Sequence, residues 1–595
     1  MQRLRTRLRA GATAFPPATF ALNFLTGALD SGVTFSRGSN ATLVDSTGKI
    51  TYAPANLVTY SEQFDNAAWI KYEGTVTANA TTAPDGTTTA DAYIESTTAT
   101  TDHRLTFAGA SAAVGQNLTL SVYAKANGRN FIALFSVTEN KGKYFSIPAD
   151  GTGAVLGDFG FAPNSAAISY VGNGWYRCSI TYTATAASQN VRYYPCDTGA
   201  TFIYTGNGTS GLFLWGAQLQ PVTYQTAPST YVATTTAAYY GPRFDYDPVT
   251  LAPKGLLIEE QRVNLLLYSE QFDNATWTKS AVTITANATA APDGTSTADK
   301  LTPDVTLASH FAGQTVTTTA VAHTYSAYLK AGGYSWAILY AAGVNQGVYF
   351  DLANGVVGSS FIGAPTSSSI TPVGNGWYRC SITFTATTGT AARVYASSAN
   401  TVSTFAGDGT SGIFLWGSQL EAGAFATSYI PTVASQVTRS ADVATMTGTN
   451  FSSWYNQTQG TLVSAFSSFS PTSASNAAWT ISDETNSNRW FAFAVSSTIR
   501  SFMATGGVTQ ASIDVGTYAA NTVFKSAFAI SANSVQSAVN GILGTEDTAA
   551  TVPTVVRLTV GASAIATTNF LNGHIRQIAY YNTRLPDATL QALTA

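Results

Sequence analysis

Between residues 117 and 125, apolar Leu118, Leu120, Val122 and Ala124 alternate with Thr119, Ser121, Tyr123 and Lys125. A period of two marks a strand with one face in a core. Residues 176–182 repeat the pattern, with Tyr176, Cys178, Ile180 and Tyr182 on one face and Arg177, Ser179 and Thr181 on the other. Further strands are predicted at 461–466, 490–495, 524–530 and 555–560, with Asn540-Gly541 as a hairpin turn. Residues 572–582 predict one more, setting Ile575, Gln577 and Ala579 opposite Arg576, Ile578 and Tyr580. A helix is predicted only near the end, where Pro586 opens a run containing Leu590 and Leu593. The pattern is that of an all-β protein.

Much of it occurs twice. Tyr60-Ser61-Glu62-Gln63-Phe64-Asp65-Asn66, followed by Trp69, returns as Tyr268-Ser269-Glu270-Gln271-Phe272-Asp273-Asn274, followed by Trp277. Gly172-Asn173-Gly174-Trp175-Tyr176-Arg177-Cys178 returns as Gly374-Asn375-Gly376-Trp377-Tyr378-Arg379-Cys380, and Leu212-Phe213-Leu214-Trp215-Gly216 as Ile413-Phe414-Leu415-Trp416-Gly417. The second copy keeps Thr324, Ser326, Tyr328 and Lys330 outward and turns His323, Tyr325, Ala327 and Leu329 inward. Each copy is far longer than a solenoid repeat and can close its own core. The expected division is an arm and β-rich lead-in at 1–55, module 1 at 56–232, a connector at 233–263, module 2 at 264–432, and a third domain at 433–595. Leu256-Leu257-Ile258 predicts that the connector packs against a module instead of swinging freely.

Composition narrows the function. The 595 residues carry 10% charged side chains and a net charge of −3, so no whole-chain field favours nucleic acid or an acidic membrane. No apolar run is long enough to span a bilayer. The N-terminus alternates Arg3, Arg5, Arg7 and Arg9 with Leu4, Thr6 and Leu8, readable as a solvated tail or as an anchoring peptide that adds a strand to a partner.

Candidate chemistry is sparse. His103, His310, His323 and His574 lack metal-ligand spacing, and no nucleophile elbow, phosphate loop or Cys-x-x-Cys occurs. Cys178 and Cys380 fill the same slot in separate copies and read as small buried hydrophobes; a Cys178–Cys196 bridge is left open. Glu62/Glu270 and Asp91/Asp299 recur and predict turn hydrogen bonds or a calcium-like oxygen site; no other cofactor is expected. Trp69/Trp277, Trp175/Trp377 and Trp215/Trp416 are read as core packing in preference to sugar stacking. Recognition residues should differ between copies. On that ground Arg129 and its counterpart Tyr334, Tyr193-Tyr194 beside Arg192, and Tyr395 beside Arg393 are the ligand candidates, with Arg489 in the third domain.

The repeated opening, the Ala291-Pro292-Asp293-Gly294-Thr295 turn, the Gly-Asn-Gly-Trp-Tyr-Arg strand and the Gln419-Leu420-Glu421-Ala422-Gly423 exit resemble carbohydrate-binding-module-like jelly rolls of tailed-phage structural proteins. Thr438-Arg439-Ser440-Ala441-Asp442-Val443 and the closing strand and helix resemble a concanavalin A-like or laminin-G-like lectin sandwich from the same proteins. Gly32-Val33-Thr34-Phe35-Ser36-Arg37 and Pro242-Arg243-Phe244-Asp245-Tyr246 resemble their N-terminal segment, whose two pieces sit close together in relatives, which implies that module 1 is an insertion. The resemblance implies two tandem jelly-roll β-sandwiches and a concanavalin A-like β-sandwich in a non-enzymatic phage virion surface protein, a tail or head fibre, spike or decoration. The expected partners are other virion proteins through the arm, a host surface glycan and further copies of the chain, a trimer by analogy, with no nucleic acid and no membrane. A purely structural decoration role and a polysaccharide depolymerase remain the alternatives.

Overall fold

The computed structural model describes residues 15–469, 476–495 and 498–595. The arginines of the predicted arm, Arg3 to Arg9, lie outside the described residues. The described chain is built from β-strands, with a helical turn at Phe24–Thr26 and short helices at Gly448–Ser452 and Asp587–Thr594.

Module 1 is a two-sheet sandwich. Its first sheet orders Ala154–Gly160, Lys141–Ser146, Phe131–Ser136, Ser188–Cys196, Arg104–Ser111 and Trp69–Tyr72. Its second orders Ser165–Gly172, Trp175–Thr183, Asn117–Asn127, Gly211–Val222, Ala90–Glu95 and Gly74–Thr81. The chain passes back and forth between the sheets in jelly-roll fashion. Leu118, Leu120, Val122 and Ala124 face Cys178, Ile180 and Tyr182 in one core, as the alternation requires. Each such buried aliphatic side chain contributes roughly 1.5–3 kcal/mol. Module 2 reproduces both sheets strand for strand, from Thr278–Ser280 to Gly412–Ala422.

The repeated residues hold this frame. Asn56 donates to the carbonyls of Ala217 and Val232, both at 2.9 Å, while Asn264 donates to Ser418 at 3.1 Å and Ile430 at 2.9 Å, tying each module's entry to its exit. Asn173 and Asn375 take positive φ (53° and 52°) in two-residue hairpins, conformations that Asn and Gly adopt at low cost. The exit strand of module 1, despite Pro221, pairs with Asn117–Asn127 through the same bulge that module 2 shows beside Ala322–Gly332.

The third sandwich is assembled from three separated stretches of chain. One sheet runs Arg243–Tyr246, Pro253–Ile258, Gly573–Tyr581, Gln459–Ser468, Phe524–Ser531, Ser534–Val539 and Ile542–Leu543, with Phe20–Asn23 also paired to Gly573–Tyr581. The facing sheet begins with Thr34–Ser36 and Val443–Met446. Lead-in and connector therefore share the third core, contributing Leu22, Phe24, Val33, Leu256 and Ile258, and are not separate units as the linear division has them. Both modules are insertions into this sandwich. One alternation fails: a register shift where Phe466 meets Ile575 brings Ile575, Ile578 and Tyr580 into a single core.

Between the sandwiches lies a buried ionic knot. Arg243 pairs with Glu259 at 2.6 Å and with Asp442; Arg37 pairs with Asp442 at 2.9 Å, and Arg439 with Glu259 at 2.6 Å. Module 2 enters it through Ser428, whose backbone N–H donates to Glu259 at 2.8 Å. Burial alone would raise the Glu259 carboxyl, but the Arg439 and Arg243 guanidiniums outweigh it and hold it well below the usual carboxylate range.

Candidate functional site

Strand parity in Ser188–Cys196 turns Val191 and Tyr193 into the core of module 1 and Arg192, Tyr194 and Cys196 to the outer face of its first sheet. Pairing then decides their neighbours. Thr106 stands opposite Arg192, and Arg104 opposite Tyr72, so two arginines flank Tyr194 on one surface. The Arg104 guanidinium lies 3.9 Å over the Tyr72 ring and pairs with Asp102; an Arg192 Nη donates to the Tyr194 hydroxyl at 3.1 Å. The Nε of each arginine is buried without a hydrogen-bond partner. Beneath them the rings of Tyr194, Phe159 and Phe202 meet edge-on or tilted, 4.5 to 5.6 Å apart. Tyr72 is 39% exposed and neighbouring Ile70 55%. Ring faces beside guanidinium donors can stack on the apolar face of a pyranose while hydrogen-bonding its hydroxyls.

Module 2 carries a different version. Phe311 replaces Arg104 and Ser280 replaces Tyr72, leaving Arg393 4.6 Å over the Phe311 ring and 3.4 Å from the Tyr395 hydroxyl. The Tyr340, Phe361 and Tyr395 rings fill the rest. One fold thus presents two guanidiniums in one copy and one in the other.

The remaining sequence candidates lie elsewhere. Tyr193 is 1% exposed, tilted against Trp69, with its hydroxyl donating to the Ser121 carbonyl at 3.3 Å, so it is a core residue. Arg129 is spent inside module 1, forked onto Glu95 at 2.6 and 2.9 Å, paired with Asp197 and lying over Tyr204. Its counterpart Tyr334 packs edge-on to Phe405. Arg489 lies over Phe491 and Phe502 on an outer face of the third sandwich, far along the chain from either module, and donates to Asn486. Sequence reasoning missed Arg104 and Tyr72; strand pairing, which brings them to Tyr194, was the missing signal.

Other expectations resolve in the same way. Asp91 and Asp299 accept backbone N–H groups, from Phe64 and Asn79 and from Phe272 and Asn287, at 2.7 to 3.0 Å. Among the described residues no three His, Cys, Asp or Glu side chains are grouped to hold a metal ion. All three cysteines are free; Cys178 lies inside the sandwich and Cys196 on its outer aromatic face, which rules out their bridge. Trp69 and Trp277 occupy the module cores. Trp175, Trp215, Trp377 and Trp416 are buried as packing residues too, in separate clusters: each stands at odd parity to the inward residues of its strand and packs on the outer face of the second sheet. There Glu270 accepts from the Tyr429 hydroxyl at 3.0 Å beside a cavity of about 390 Å³ that Asp293 also lines. Burial, then the Asp293 charge, pushes its carboxyl up to about 8.

No family model and no curated protein matches the chain. Among solved structures, the CBM40 of a Ruminococcus gnavus IT-sialidase is similar at 15% identity and a TM-score of 0.22, over 24% of this chain and 88% of that one. The NanB sialidase of Streptococcus pneumoniae is similar at 16% identity and a TM-score of 0.22, over 25% of this chain and 26% of that one. The receptor-binding domain of botulinum neurotoxin mosaic serotype C/D is similar at 15% identity and a TM-score of 0.20, over 25% of this chain and 40% of that one.

Proposed function

We propose that this chain is a non-catalytic adhesin that holds surface glycans on the outer faces of its module sheets. The observation that carries the reading is the Tyr72, Arg104, Arg192 and Tyr194 constellation: one exposed ring, Tyr72, beside two partly exposed arginines that pack over a buried aromatic floor. Two copies with unlike rims suit two glycan epitopes. Weak contacts of this kind gain from being linked in one chain, and further from a symmetric oligomer. The resemblance of the repeated motifs to tailed-phage structural proteins supports display on a virion surface, with the third sandwich as a lectin-like domain and the arm around Arg3 to Arg9 as the anchor.

The test is affinity electrophoresis of the full chain against polysaccharide extracted from candidate host envelopes. Retardation that Arg192→Ala and Tyr72→Ala each reduce tenfold or more supports the reading. A wild-type chain that no envelope glycan retards overturns it, and release of reducing ends from the same extract would favour a depolymerase instead.

A further inference from the structure

The duplication shows the outer face of the second sheet in two situations. In module 2 it is covered. The hairpin Thr42–Val44 with Ile50–Tyr52 lays Ile50 among Trp377, Trp416, Tyr429 and Ala291. Ile50 N–H donates to the Pro292 carbonyl at 3.2 Å, and Thr42 Oγ1 to the Tyr429 carbonyl at 2.5 Å. A Cβ placed on Gly294 would meet the Lys49 side chain at 2.8 Å, and one on Gly374 the Pro248 carbonyl at 3.2 Å. Asp293 is buried at this contact, and the Lys49 charge lies close enough to offset part of the upward push that burial gives its carboxyl.

In module 1 the same residues build the same seat. Trp215 meets Tyr123 at 5.2 Å and Tyr231 at 4.7 Å, against 5.3 and 4.7 Å for Trp416 with Tyr328 and Tyr429. Trp175 and Ala83 complete it. Trp175 and Trp215 are themselves buried, but no described segment lies over the rim: a Cβ on Gly86 or Gly172 would find open space, Asp85 is exposed, Tyr123 and Tyr231 are half-buried where Tyr328 and Tyr429 are buried, and Val171 is 45% exposed where its counterpart Val373 is partly buried against the docked cluster. Tyr170 beside it is exposed as well.

We infer that the outer face of the second sheet of module 1 is a docking seat for a β-hairpin of another protein, one that presents a lysine followed by a branched aliphatic residue. The module 2 pairing supplies the chemistry. Val171, Tyr123 and Tyr231 receive the aliphatic side chain, and Asp85, with Glu62 behind it, faces the lysine. Hairpin 42–52 of this chain is already held by module 2, so the occupant we assign is a different chain. Burial of one aliphatic side chain, set against the cost of association, predicts only weak binding by an isolated hairpin. A partner adding further contacts binds more tightly.

The probe is a cyclised peptide with the sequence of residues 42–52, titrated onto immobilised full-length protein. Saturable binding is expected. Val171→Asp and Asp85→Lys, both at exposed positions, should each weaken it tenfold or more, and a peptide carrying aspartate in place of Ile50 should not bind. Arg192→Ala, on the opposite sheet, should leave it unchanged, which separates this seat from the glycan surface. No saturable response up to about 2 mM peptide, or binding that Val171→Asp and Asp85→Lys leave intact, overturns the inference.

Discussion

Modules 1 and 2 share sheet order, bulges and aromatic seats, yet one is locked to the third sandwich through its second sheet and no described segment docks on the rim of that sheet in the other. The seat residues are the same in both, so what differs is their surroundings. Gln220 of module 1 accepts from the Ser229 backbone and hydroxyl at 3.2 and 2.8 Å. Its counterpart Glu421 accepts from Thr427 N–H and Oγ1 at 2.9 and 2.6 Å, and its charge reaches Arg439 and Arg262. A carboxylate stands where the module abuts buried arginines, and a neutral amide where it does not. A buried charge is tolerable only beside its partner. The duplicate that docked carries the matching charge, and the duplicate that stayed open could not bear it.

The strongest way to break the asymmetry is to unpair the knot. Glu259→Gln leaves Arg439 and Arg243 facing each other with one carboxylate fewer, and removing one partner of a buried pair costs about 3–5 kcal/mol. Hydrogen exchange should accelerate at Ser428–Tyr429 and at the Thr42–Tyr52 hairpin, while the module 1 core keeps its protection. Uniform loss of protection across both modules would show that the knot stabilises more than the docked face.

A smaller effect is expected from the hairpin itself. Ile50→Ala removes the side chain that fills the module 2 seat, a loss of roughly 2–3 kcal/mol for a buried isoleucine whose cavity partly collapses. Val171→Ala, at the matching open surface, should cost well under 0.5 kcal/mol, because surface substitutions away from packing contacts rarely exceed that. Equal losses in chemical denaturation would mean that the module 1 seat is already covered in solution.

Much of this frame is legible in the sequence, because alternation is local: Leu118 to Ala124 and Tyr176 to Tyr182 declare their inward faces, Asn-Gly declares the hairpins, and Pro586 the last helix. Pairing is not local. Phe20–Asn23 joins Gly573–Tyr581 at the other end of the chain, and no periodicity announces it. The same limit governs the surface. Arg192 and the Arg393–Tyr395 pair are found from differences between copies, whereas Arg104 and Tyr72 become neighbours only once adjacent strands are in register. Trp175 was legible as a packed residue, and it is 2% exposed; parity with Tyr176 also places it on the outer side of its sheet. Its burial comes from Tyr123, Phe213 and Tyr231 around it on that outer face.

The paired glutamates sharpen the comparison by pH. Glu270 has its carboxyl pushed up to about 8 from an ordinary 4.5, by burial and then by Asp293. Glu62 in the open copy is also raised, by burial offset by the Tyr231 hydroxyl. A raised acid binds its proton more tightly when folded, so its contribution is full below pH 4.5 and is lost as pH climbs through about 8. Glu270→Gln should therefore flatten the decline in unfolding free energy between those limits by an amount on the order of 1 kcal/mol, discounted because the carboxyl borders a cavity. Glu62→Gln should flatten it less. A pH profile unchanged by Glu270→Gln would place the covering hairpin further from that carboxyl than the geometry has it.

The finest comparison uses two glycines that differ only in what approaches them. Gly172 and Gly374 hold φ at +96° and +86°, a region an L side chain enters at a cost of about 1 kcal/mol. Alanine at Gly172 meets open space and should cost that strain alone. Alanine at Gly374 meets the Pro248 carbonyl at 3.2 Å, closer than ordinary contact, and should cost a few tenths of a kcal/mol more as the loop yields. Paired denaturation curves for the two substitutions measure that excess directly. If it vanished, the loop carrying Pro248 would not rest on module 2 in solution, and the contrast between docked and open copies would reduce to the hairpin alone.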